Sequence, residues 1–99
     1  MNSIDEIASH LQRIAQLLRD FEEHSWAQSF EALKHELATD PSHTAWKITR
    51  LYGGAGSFSD LVLHQNRVAP RLENDELAQL RSALYGLCRQ QNSSKNDQF

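Results

Sequence analysis

Cysteine occurs once in the 99 residues, at Cys88, so no intrachain disulfide, no zinc knuckle built on a Cys pair and no Cys-x-x-Cys redox motif can be assembled. A reducing cytosol fits that usage. No stretch approaches the roughly 18 apolar residues that a membrane span needs. The start, Asn2, Ser3, Ile4, Asp5, Glu6, lacks the basic and apolar regions of a secretory signal, and a cytoplasmic protein without membrane contact is expected. Positive charge is not in excess either. Ten Lys and Arg face thirteen Asp and Glu, a net of -3, which argues against bulk attraction to nucleic acid. Proline occurs twice and glycine four times, so helix breakers are few and fall at definite places.

What is present suits one helical domain. The composition is 39% apolar and 23% charged, which is globular, and the length leaves no room for a second core. Ser3 and Glu6 form a capping box ahead of Ile4, Ile7, Ala8, Leu11, Ile14, Ala15, Leu18 and Phe21, which share one stripe at 100° per residue. A second box, Ser25 to Gln28, opens a helix whose Trp26, Phe30, Leu33 and Leu37 share a face and which ends near Thr39. Asp40 before Pro41 suits an N-cap with proline in the first turn, Ser42 being the competing cap, and this third helix runs toward Gly53. Ala45, Ile48, Leu51 and Tyr52 face its core side, whereas Trp46, with Arg50 one turn on, points nearly the opposite way. Such a helix is either sandwiched inside the bundle, the first expectation, or presents an aromatic outward.

Gly53, Gly54, Ala55, Gly56 and Ser57 form the Gly-rich turn, and Ser57 with Asp60 makes another capping box. Residues 58–63 read as a short helix, with an extended segment as the alternative, because six residues cannot separate the two periods. Gln65 to Arg71 reads as a loop containing Pro70. Asn74 is placed as the cap of a last helix carrying Leu77, Leu80, Ala83, Leu84, Leu87 and Cys88, with Tyr85 to one side and Gly86 within it. The expected architecture is all-α, a compact bundle of four main helices with a short helical or extended segment after the Gly-rich turn. Residues 1–91 form the single domain and 92–99 a flexible polar tail.

Chemistry of the side chains points away from catalysis. The Gly-rich turn could cradle an anion, but it lacks the lysine of a phosphate loop and the spacing of a dinucleotide fingerprint. His10, His24, His35, His43 and His64 make no metal-binding pair at helical spacing, and no cofactor is expected. Cys88 falls on an apolar stripe, where a thiol is usually inert filling. A DNA-reading helix carrying Trp46, Lys47 and Arg50 is disfavoured by the acidic segments before it.

Charge is distributed unevenly. Residues 1–40 hold eight acids against three bases, a net of -5, whereas residues 41–72 hold four bases against one acid, a net of +3. An acidic cluster of Asp20, Glu22, Glu23, Glu31 and Glu36 would steer a basic partner, and Trp46, Arg50 and Tyr85 are the off-stripe anchors.

The run Leu51, Tyr52, Gly53, Gly54, Ala55, Gly56, Ser57, Phe58, Ser59, Asp60, Leu61, Val62, Leu63, His64 resembles a family of short, uncharacterised bacterial proteins. Members are similar in carrying an amphipathic N-terminal helix, a helix that starts at a Trp like Trp26, and a Gly-Gly-x-Gly-Ser-x-x-Asp segment running into Leu-Val-Leu. The likeness covers roughly Ile4 to Leu87. It implies a small cytosolic accessory protein of the kind that serves as immunity partner to a bacterial toxin, and it supplies no catalytic residue. The expectation is therefore an antitoxin-like protein that neutralises a cognate toxin or effector by occlusion. A self-associating regulatory or structural protein, including a homodimer, is the alternative, followed by an anion- or nucleotide-binding module.

Overall fold

The apolar stripes of the chain are too widely spaced to be buried by any one helix pair, and the computed structural model closes them into a four-helix bundle. It describes residues 3–53 and 57–96, with side chains through residue 91. The helices are α1 (Ser3–Asp20), α2 (His24–Thr39), α3 (Pro41–Thr49) and α4 (Arg71–Asn96), with 3-10 turns at Arg50–Tyr52 and Phe58–Asp60. The all-α expectation holds. Helix α1 packs against α2 and α4, and α3 packs against the same two, so the helices form a ring around one core. Ile7, Leu11, Ile14, Leu18, Phe30, Leu37, Ile48, Leu77 and Leu84 are buried in it.

Helix α1 ends by a Schellman arrangement. The Glu23 N–H donates to Leu18 O at 2.8 Å and the Glu22 N–H to Arg19 O at 3.1 Å. Glu22 therefore occupies the left-handed position with φ 64°, where glycine is the ordinary residue. Glu22→Gly is expected to raise stability by about 0.5–1 kcal/mol, the relief of the Cβ clash less the added freedom of the unfolded chain. Denaturant melts check this; a lower midpoint would show that the Glu22 side chain holds the turn by other means.

Two capping expectations are corrected, at Ser25 and at Ser57, whose hydroxyl makes no cap bond to the 3-10 turn it precedes. Helix α2 already includes Ser25 and begins after Glu23, with no side-chain cap bond, so the Ser25 to Gln28 box does not form. The Ser3 hydroxyl donates to Gln91 Oε1 at 3.1 Å, tying the ends of α1 and α4 together. The Asp40 cap does form. Its carboxylate accepts from the His43 N–H at 3.3 Å with Pro41 in the first turn.

The connection from α3 to α4 combines the two readings of residues 58–63. Phe58–Asp60 is a single 3-10 turn, and Leu61 onward is extended. Two side chains of α4 hold this segment. The Arg81 guanidinium donates to Phe58 O at 3.0 Å and Leu61 O at 3.1 Å. Asn74 accepts from the Leu63 N–H at 2.8 Å while its amide donates to Leu63 O at 3.1 Å and Pro70 O at 2.9 Å. Asn74 is thus not the helix cap, because α4 begins three residues earlier at Arg71; its side chain stands in for a β-strand partner of Leu63. Gln65 and Val68 then exchange both backbone bonds around Asn66 and Arg67, whose φ values of 53° and 66° make a type I′ hairpin turn.

Asn74→Ala leaves the N–H and C=O of buried Leu63 without that partner and is expected to destabilise the protein by about 1–3 kcal/mol. Hydrogen exchange at Leu63 should accelerate with it, and unchanged exchange there would refute the strand-partner role. At the other end, α4 continues through residues 92–96, where a loose tail was expected. Nothing in Asn92, Ser93, Ser94 and Lys95 is a helix stop of the Gly or Pro kind.

Candidate functional site

Helix α3 is amphipathic with one exception, and the exception is the site. Thr44, Ala45 and Ile48 are buried on its inner side. Trp46 lies on the outer side with 48% of its surface exposed, and it is the one exposed aromatic residue among those described. The sandwiched arrangement is thereby overturned. Among the described residues α3 packs chiefly against α2 and α4 on one side, and Trp46 projects from the other.

The indole is not alone. The Arg50 guanidinium carbon lies 5.0 Å from its ring centroid, and the His43 ring stacks on it at 5.7 Å with an interplanar angle of 23°. Positions 43, 46 and 50 are separated by three and four residues, which is the spacing that aligns side chains along one helix face. Each member of the stack is exposed. Cation–π attraction biases the Arg50 side chain toward this position before any partner arrives, reducing part of the entropy lost when it is engaged. Lys47, beside them in sequence, donates to Glu36 Oε1 of α2 at 2.7 Å and braces α3 against α2.

Tyr85 takes a more structural place than its off-stripe position suggests. It is half-buried, with its ring 4.9 Å from that of Tyr52 and the Arg89 guanidinium carbon 5.8 Å from its centroid. Tyr52 donates its hydroxyl to Arg81 O at 2.8 Å, and burial pushes its pKa well above the ordinary phenol value.

The acidic candidates divide. Glu31 is ion-paired with Arg19, and Glu36 with Lys47. Asp20 accepts from the Gln16 amide at 2.9 Å, Glu22 occupies the strained turn, and Glu23 precedes α2. Two of the five charges are therefore neutralised within the molecule, which thins the field expected to steer a basic partner. These pairings join residues 12 and 11 positions apart on different helices, so the sequence carried no local signal for them. His43 was also missed as a site residue, although its place three residues before Trp46 was the available cue.

Elsewhere the chemistry is subdued. Cys88 is buried, and burial pushes its thiol up to about 12, so it keeps its proton at neutral pH. Among the described residues no group of three or more His, Cys, Asp or Glu is placed to hold a metal ion. No described helix is long and apolar enough to cross a membrane. The candidate anion cradle at Gly54, Ala55 and Gly56 lies outside the described residues.

A family described as a domain of unknown function (DUF6966) matches residues 19–71. That span runs from the end of α1 through α2, α3 and the hairpin to the first residue of α4. It contains the whole His43, Trp46 and Arg50 stack and the Gly-rich run, while Tyr85, Arg81 and Asn74 lie beyond it. No curated protein and no solved structure matches the chain.

Proposed function

We propose, for a chain that belongs to the DUF6966 family, the role of a protein-binding module that neutralises a cognate toxin or effector by covering its working surface, with no chemistry of its own. The observation that carries this reading is the exposed Trp46 held between Arg50 and His43 on the outer face of α3. Trp and Arg are the residues in which binding energy concentrates at interfaces, and a pre-ordered pair avoids part of the ordering cost. An exposed indole that contributes nothing to the core is otherwise a solubility liability. The immunity-type role rests on the resemblance of the Gly-rich run and its flanking helices to small bacterial accessory proteins.

The same face favours a second reading, self-association, because two copies could pair through Trp46. The experiment that separates them is co-purification with the product of the neighbouring gene followed by light scattering. A one-to-one heterocomplex supports neutralisation. A concentration-dependent species of twice the monomer mass, with no heterocomplex, supports the homodimer and removes the neutralising reading.

A further inference from the structure

Resting on that reading of the α3 face, we infer that the segment docking there is an acidic stretch of protein, with a carboxylate placed against Arg50 and an apolar side chain on the Trp46 ring. Between Pro41 and Tyr52 the chain carries Lys47, Arg50 and His43 and no Asp or Glu. Lys47 is already committed to Glu36. Arg50 has no ion pair among the described residues, in contrast to Arg13, Arg19 and Arg71, which each face a carboxylate. Its guanidinium carbon lies over the indole ring, 5.0 Å from the centroid. Its side-chain N–H donors make no hydrogen bond among the described residues, and the fork they form matches a carboxylate bidentately.

The site therefore combines an unneutralised cation with an apolar plate beside it. That is complementary to an acid next to a hydrophobic residue. A nucleic acid offers anions too, but in a continuous array that extends beyond one cation. A discrete carboxylate on a folded or extended protein segment meets the cation alone.

The test uses the full-length protein labelled with 15N, whose two tryptophans give two indole N–H resonances; the one missing from Trp46→Phe is that of Trp46. Three probes are titrated to millimolar concentration: a 12-residue peptide of alternating Glu and Leu, its Lys and Leu counterpart, and a 12-nucleotide single-stranded DNA. The acidic peptide is expected to shift the Trp46 indole and the Arg50 side-chain N–H signals saturably. Arg50→Gln should weaken that binding at least tenfold, and Arg50→Lys should recover part of it. An equal response to the Lys peptide, or no saturable shift with any probe, overturns the inference. So does a stronger response to DNA, which assigns the face to nucleic acid. The two readings fail separately. If Trp46→Ala still disrupts a protein complex while the acidic peptide leaves both signals unmoved, the docking face stands and the acidic occupant falls. If the peptide binds and no heterocomplex forms, the face chemistry stands and neutralisation falls.

Discussion

Phe58→Ala is expected to be the most damaging single core substitution in the molecule, costing about 3–5 kcal/mol as other buried Phe→Ala changes do. The ring is fully buried and joins α2 to the two 3-10 turns. Its centroid lies 4.6 Å from Phe30, 5.6 Å from Trp26 and 5.6 Å from Tyr52, edge-on to the last of these, with the Arg81 guanidinium 5.6 Å away. Aromatic pairs of this kind contribute about 0.5–1.5 kcal/mol beyond area burial. Removing the ring also empties the space into which α2 and the 3-10 turn pack. For a domain near 100 residues a loss of that size lowers the melting temperature by more than about 12 °C. Scanning calorimetry reads it directly, and a shift under about 4 °C would mean that the segment does not belong to the cooperative core.

The second large effect is expected at the centre of the helix ring. Leu11 on α1 and Leu84 on α4 are both fully buried, and either change to Ala should cost about 2–5 kcal/mol. Total stability in a domain of this kind is about 5–15 kcal/mol, so one such change removes a large share of it. Urea denaturation should show a lower midpoint with an unaltered slope. A midpoint equal to that of the parent protein would place these side chains outside the core.

These effects follow from features that differ in how far the sequence discloses them. The stripes of α1, α2 and α4 were legible because burial on one side imposes a 3.6-residue period, and Leu11 and Leu84 lie in the middle of theirs. Asp40 with Pro41 was legible because a fixed φ and a short acceptor side chain suit that one boundary. Ser25 misled for a related reason: its motif is common, and the Schellman turn at Glu22 had already set where α2 begins. Asn74 misled because an Asn near a helix start satisfies backbone donors in two ways. Only the approach of Leu63, eleven residues away in the chain, selects the second. Residues 58–63 were ambiguous for want of length, and the actual hybrid is set by the Arg81 guanidinium donating to two carbonyls of the segment.

The candidate surface shows the same division. Trp46 and Arg50 were found from their angular position on the helix wheel, since polar faces seldom carry an indole. Whether the helix was covered on both sides was a tertiary question, and the wheel pointed first to the wrong answer. The acidic candidates Glu31 and Glu36 lost their free charge to partners on other helices, which no local pattern encodes. His43 joined the stack through the turn created by the Asp40 cap, so an ordinary capping feature positions part of the interaction face.

The central claim is that Trp46 anchors a partner and contributes little to the fold. Calorimetric titration of the neighbouring gene's product into the parent protein and into Trp46→Ala, with thermal melts of both, tests it most directly. The account predicts at least a 30-fold loss of affinity, the consequence of removing a hot spot of about 2 kcal/mol or more, with a melting temperature close to the parent's. Parent-like affinity in a folded Trp46→Ala protein, or a melting temperature lowered as far as that of a core variant, would contradict it.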